Sequence, residues 1–192
     1  MADNVNRADG FRLVGTTHGR LPSIRKYDVS AHSGALYVGD PVVLSGTGST
    51  AGIPGVVKAS VSSTITGIFM GKVPTSGVTA PAIPTVSYIA DGGSATIYVC
   101  DDPQAIFEIQ EDSVGGNIAA TALGEFCDVT FGAGNANTEM SGCILDSSDA
   151  ATGDNVRLLS VVQRPDNVFG NTYCRFLVTI NEHTYNAVQT PK

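Results

Sequence analysis

Tryptophan is absent from this chain of 192 residues, and only 15% of the residues are charged, where ordinary soluble domains carry roughly 25%. A surface that poor in charge suits a protein that covers much of itself with neighbours, although Ser, Thr, Asn and Gly also hold a chain in solution. Lysine and glutamate are scarce, so the usual dressing of exposed helices is missing. No apolar run approaches the ~20 residues of a membrane-spanning helix. The start Met-Ala-Asp-Asn lacks a basic stretch followed by an apolar one. No secretory signal is therefore read, and the chain is expected to stay in the cytosol until assembly.

Motifs that carry chemistry are missing too. A hydrolase elbow, G-x-S-x-G, does not occur. The run Gly46-Thr47-Gly48-Ser49-Thr50 is glycine-rich, but no Walker lysine follows it. Gly132-Ala133-Gly134-Asn135 precedes no expected helix. The histidines His18, His32 and His183 stand in no metal-ligand spacing and read as surface or loop residues. Cys100, Cys127, Cys143 and Cys174 form no C-x-x-C pair. Three of them lie in apolar β-like runs and read as buried free thiols, while the even count permits two disulfides. Asp101-Asp102 before Pro103 could serve as an acid–base pair or a calcium site. Adjacent residues of an extended chain point to opposite faces, however, so the pair reads as a turn whose side chains cap backbone amides. Asp146, Asp149 and Asp154 lack EF-hand spacing and read as a loop. Neither a catalytic residue, a metal ligand nor a cofactor site is expected.

What is present is β-forming. Hydrophobic residues make up 42% and there are 22 glycines, with Val, Thr and Ala recurring between turn clusters. Short strands are expected at Ile24–Val29, Ala35–Val38, Val42–Leu44, Val56–Val61, Ile65–Val73, Val86–Ala90, Ala95–Cys100, Ala105–Gln110, Phe126–Phe131, Met140–Leu145, Val156–Gln163 and Tyr173–Asn181. Asp91-Gly92-Gly93 suggests a hairpin. Asn117–Leu123 is the only plausible short helix. The fold class is all-β: a barrel or sandwich of about ten short strands with long loops. Residues 1–23 read as an extended N-terminal arm and 24–192 as a β-rich body, with 112–155 a candidate small subdomain.

Charge is unevenly spread. Residues 1–26 hold Arg7, Arg12, Arg20, Arg25 and Lys26 against Asp3 and Asp9, whereas the remainder holds six basic and sixteen acidic side chains. An acidic body argues against direct nucleic-acid binding. Two readings of the basic stretch stand: an arm that docks on an acidic patch of a partner or sister subunit, or a solvated terminus.

The order of segments carries a resemblance. Tyr37-Val38-Gly39-Asp40-Pro41-Val42-Val43-Leu44 is followed by Tyr98-Val99-Cys100-Asp101-Asp102-Pro103-Gln104-Ala105-Ile106-Phe107-Glu108-Ile109-Gln110. Then come Arg164-Pro165-Asp166-Asn167 and Phe176-Leu177-Val178-Thr179-Ile180-Asn181-Glu182-His183, with Gly10-Phe11-Arg12-Leu13-Val14 at the opening. Together they resemble proteins encoded beside the major capsid protein of tailed bacteriophages, and the whole looks like a head decoration, or cement, protein. The resemblance implies a β-rich, often trimeric structural protein on the capsid exterior of the virion, made in the host cytoplasm, with the major capsid protein and its own copies as partners. It implies no enzyme, no cofactor and no membrane. A head-fibre base or a tail component is the alternative. Arg7, Phe11, Arg12, Arg20, Arg25 and Lys26 are the candidate contacts to capsid or sister subunit. A chain lacking residues 1–20 is expected to fold.

Overall fold

A computed structural model describes residues 4–30, 34–61, 63–76, 81–82, 86–150 and 155–186. The chain is all-β. Its strands are β1 (Arg12–Thr16), β2 (Ile24–Val29), β3 (Pro41–Gly48), β4 (Pro54–Lys58), β5 (Gly67–Lys72), β6 (Thr75–Ser76), β7 (Pro81–Ala82), β8 (Ala95–Cys100), β9 (Ala105–Gln110), β10 (Phe126–Cys127), β11 (Val129–Thr130), β12 (Ile144–Leu145), β13 (Val156–Val161) and β14 (Arg175–Ile180). His32, Asp154, residues 1–3 and 187–192, and most of the proline-rich connection (77–80 and 83–85) lie outside the described residues.

The sequence left barrel and sandwich open, and the chain contains a barrel beside an open sheet. Strands β2-β4-β3-β5-β8 close into a five-stranded barrel, and β1-β9-β14-β13-β10 form an antiparallel sheet. The period-2 pattern explains both. Along β8, Ile97 and Val99 point into the barrel with Tyr27, Val42, Val56 and Phe69. Their neighbours Cys100 and Ile68 point outward and join the core under the sheet. That second core holds Phe107 and Ile109 of β9, Phe176, Val178 and Ile180 of β14, and Val156 and Leu158 of β13. The outward face of β5 and β8 is thus covered by the sheet, which fixes the two halves against each other.

Several expectations are corrected. Val86–Ala90 does not pair with Ala95–Cys100; Ile89 instead bridges Leu36, each N–H donating to the other's carbonyl at 2.8 Å. Leu36 and Ile89 are large and apolar, and burying them in the barrel outweighs the local turn signal. Strand β3 runs through the Gly/Ser/Thr-rich stretch to Gly48, because β4 offers it a ladder. The expected short helix shrinks to a 3-10 turn at Ala120–Ala122. Among the described residues of 112–155, Ile118, Ala122, Cys127, Val129, Cys143 and Leu145 all belong to the core under the sheet.

The basic stretch is extended, but residues 4–16 do not stand off as an arm. Strand β1 pairs with β9, Arg12 opposite Glu108 and Leu13 opposite Phe107. Phe11 is buried and meets Phe107 edge-on at 5.8 Å between ring centres. Gly10, at φ +69°, lets the chain turn in against Ser141 and the Gly39 carbonyl, where no Cβ would fit. An apolar stretch, Phe11–Val14, beside an unpaired edge of β9 gains burial by docking, and that gain exceeds the freedom lost.

Candidate interaction site

Residues 4–9 cross the outward face of the sheet as a strap. Along β9 the side chains alternate, so Phe107 and Ile109 enter the core while Glu108 and Gln110 face the strap. Gln110 accepts from the Arg7 N–H at 2.8 Å and donates to Asn6 Oδ1 at 3.1 Å. Asn4 forms a two-way link to Val168, donating to its carbonyl at 2.9 Å and accepting from its N–H at 2.6 Å. Arg175, at the start of β14, is buried and makes three hydrogen bonds through its guanidinium. It donates to Asp9 Oδ1 at 2.9 Å, Glu108 Oε1 at 3.2 Å and the Arg7 carbonyl at 2.6 Å. Glu108 also receives Arg164, at 3.0 and 3.1 Å. Two guanidinium groups around one buried carboxylate offset part of the cost of taking these charges out of water.

Beside this network opens a cavity of about 390 Å3, lined by Asn4, Val5, Arg7, Arg12, Arg164 and Tyr173 together with the ion-paired acids. The guanidinium groups of Arg7 and Arg12 are exposed and engage no acidic side chain among the described residues. Arg164 Nε is buried without a hydrogen-bond partner among the described residues, although Asp166 lies 3.3 Å away in poor alignment. Tyr173 holds φ +61°, unusual for an aromatic residue.

The six candidate contact residues separate here. Arg7 and Arg12 share the cavity. Phe11 is in the core and unavailable to a partner, because its ring is worth more in the core than on a surface. Arg20 and Lys26 are exposed away from this cavity. Arg25 serves another cluster: it pairs with Asp101 and lies over the Tyr185 ring at 5.1 Å.

That cluster closes one end of the barrel. The buried Asp101 carboxylate accepts from Ser23 Oγ at 2.9 Å, from Tyr27 OH at 2.6 Å and from Arg25 Nε. The single Tyr27 proton is committed to Asp101, so the Tyr185 hydroxyl, 3.2 Å away, donates to the Tyr27 oxygen. Burial, then the bond to Asp101, pushes the Tyr27 phenol far above its usual range. Asp102 accepts from the backbone N–H groups of Ser23 and Gln104, so both carboxylates meet at Ser23, Asp101 through its hydroxyl and Asp102 through its N–H. His183, read as a surface or loop residue, is buried at 1% exposure. Its Nδ1 accepts from the Tyr185 N–H at 3.1 Å, leaving a buried Nε2 with no partner among the described residues.

A second buried carboxylate, Asp40, accepts from Ser141 Oγ at 2.5 Å and the Tyr37 N–H at 2.8 Å, and pairs with Lys58 at 3.0 Å. It ties the 132–145 segment to the barrel. Sequence reading missed the Glu108–Arg164–Arg175 and Asp40–Lys58 networks. One clue was available: Glu108 and Gln110 alternate with apolar residues on a strand, a face that must be either wet or covered.

All four cysteines are buried and free. Burial pushes the Cys100 and Cys174 thiols up to about 11 and Cys143 to about 12. Among the described residues no group of three or more His, Cys, Asp or Glu side chains is arranged to hold a metal ion. A groove of about 450 Å3 past the end of β14 is lined by Asp128, Asp146, Asp149 and Glu182 with Val61 and Phe131. None of the protein-family models, curated proteins or solved structures compared with this chain matches it.

Proposed function

We propose that the protein is a structural capsid decoration, or cement, protein. It binds the outer surface of a tailed-phage head as a homotrimer and strengthens contacts between capsomers of the major capsid protein. The observation that carries the reading is the placement of cations: Arg7, Arg12, Arg20, Arg25 and Lys26 are exposed near the start of a chain whose remainder is strongly acidic. The ordered resemblance of the segments quoted above supports it. So does the use of ionisable groups, since Asp40, Asp101, Glu108 and Arg175 are engaged in holding segments together. The role needs no enzymatic step and neither a membrane nor direct contact with nucleic acid. An oligomer contacting several shell subunits at once turns modest contacts into slow release, and charge complementarity speeds encounter.

The test uses expanded heads that lack the protein. Added chain should co-sediment with them in many copies and raise the temperature at which they rupture. A chain that stays in the supernatant overturns the proposal. Binding in only a few copies per particle would favour the head-fibre base or tail alternative.

A further inference from the structure

An antiparallel sheet that meets water on one face ordinarily carries polar residues there. The outward face of β1-β9-β14-β13-β10 departs from this on the half that the strap leaves uncovered. Phe107, Phe176 and Val178 point into the core, so their neighbours Ile106 and Leu177 point outward, and both are partly exposed. Leu159, the extra residue at the register shift of β13, is 36% exposed and lines a groove of about 230 Å3 with Arg157 and Thr179. An apolar centre of this kind, rimmed by polar groups, marks a contact surface.

The cations around it are all arginine. Five of the seven arginines of the chain lie on this side of the sheet or on its strap: Arg7, Arg12, Arg157, Arg164 and Arg175. The described lysines, Lys26, Lys58 and Lys72, stand on barrel strands instead. Arginine is enriched and lysine depleted at protein interfaces, because a guanidinium is weakly hydrated and takes a carboxylate through two parallel hydrogen bonds. Asp9, Glu108 and Asp166 are each bound to Arg164 or Arg175. Arg12 and Arg157 make no ion pair among the described residues. Arg157 lies over the Phe126 ring at 5.5 Å, which holds its head group at the rim.

We infer that this face, centred on Ile106, Leu177 and Leu159, docks on an apolar, acid-rimmed protein surface of the shell, whose carboxylates meet Arg12 and Arg157. The inference rests on the decoration reading above and adds which face of the molecule meets the shell. A second copy offering the same face would set arginine against arginine, a juxtaposition that opposes association. Of the exposed cations near the start of the chain, the inference selects Arg12 and leaves Arg20 and Lys26 outside the contact.

Footprinting of the full wild-type chain tests this, with expanded heads that lack the protein as the probe. In the free chain, phenylglyoxal should modify Arg12, Arg157 and Arg20 alike, as read by peptide mass. Asn186 lines the same groove and residues 187–192 lie outside the described residues, so this first step matters. Protection of Arg12 and Arg157 in the free chain would mean that another copy or residues 187–192 occupy the face, and would overturn the inference. On heads, Arg12 and Arg157 should become protected while Arg20 stays reactive and Lys26 still acetylates; the converse pattern overturns it. Co-sedimentation supplies the second measurement. Arg12→Gln/Leu159→Glu should weaken binding to heads by more than about ten-fold, and Arg20→Gln/Lys26→Gln should bind like the wild type. Thermal melts by circular dichroism check that both variants are folded, and the footprint needs no variant at all. If Arg12→Gln/Leu159→Glu binds like the wild type, the face is wrong and the decoration role survives. A wild type that does not bind heads overturns both.

Discussion

Asp101 shows how one side chain can hold a barrel end. Its carboxylate takes hydrogen bonds from Ser23, Tyr27 and Arg25, yet these bonds are unequal. The Arg25 side chain is 57% exposed, whereas the Asp101 side chain is fully buried. Exposed ion pairs contribute about 0–1 kcal/mol, while a buried hydroxyl stripped of its acceptor costs about 1–3 kcal/mol. Asp101→Leu, which removes both acceptor oxygens at similar volume, should therefore lower the urea midpoint much more than Arg25→Gln; equal losses would put the energy in the ion pair instead. His183 adds a pH dependence. Burial, with a smaller contribution from Arg25, lowers its pKa below the ordinary 6.5, and Asp101 and Asp102 oppose this without cancelling it. Protonation would also place a proton on Nδ1, where the Tyr185 N–H is bound. In the window below 6.5 the unfolded chain binds a proton that the folded chain refuses, so stability falls as pH falls. Glu111, raised by burial, acts in the opposite sense above 4.5. The His183 part is isolated by comparing melting temperatures of wild type and His183→Gln between neutral pH and about one unit below the free imidazole value of ~6.5. The slope should flatten in the variant.

Among the elements, the strap and β1 decide how the molecule responds to truncation. Residues 4–16 carry Phe11 into the core, pair an edge of β9 and supply Asp9 to Arg175. The expectation that a chain without residues 1–20 folds is therefore reversed. Deletion exposes a flat apolar edge and leaves a buried Arg175 and Glu108 with fewer partners. The truncated chain should be insoluble or lose its cooperative thermal transition. Phe11→Ala alone should cost about 3–5 kcal/mol, the usual range for a buried ring removed from a core. A loss under about 1 kcal/mol, as at a typical surface site, would mean that Phe11 contributes little packing. The test of capsid binding therefore belongs to point variants such as Arg7→Glu/Arg12→Glu, whose side chains are exposed, and not to a deletion.

At the scale of the whole molecule, the barrel and the sheet share side chains through Ile68 and Cys100, so the two halves should unfold together. The cysteines report on this. Cys100, Cys143 and Cys174 lie in the core under the sheet with Cys127, all buried, and burial raises each thiol. Thiolates are the reactive form, so Ellman's reagent should label none of the four in the native protein and all four in denaturant. Their labelling rates near the midpoint should coincide. A cysteine that reacts early would locate a part that opens by itself.

Much of the fold was legible in the sequence because it rests on period and punctuation. Alternation at Ile24–Val29, Ala95–Cys100 and Ala105–Gln110 was enough to place β2, β8 and β9 at those bounds, and glycine-rich clusters separated most of the rest. The charge asymmetry is likewise a property of composition alone. Partner choice was not legible. Whether Ile89 meets Leu36 or its neighbour in the hairpin, whether β1 floats or pairs, and which acid meets Arg175 depend on residues 50 to 170 positions apart. The same limit holds for the candidate site. Arg7 and Arg12 were visible as cations, but Arg164 and Tyr173 reach the cavity only because β14 and β9 are neighbours. Local pattern settles which residues prefer to be buried; the competition among all available surfaces for burial settles where they meet.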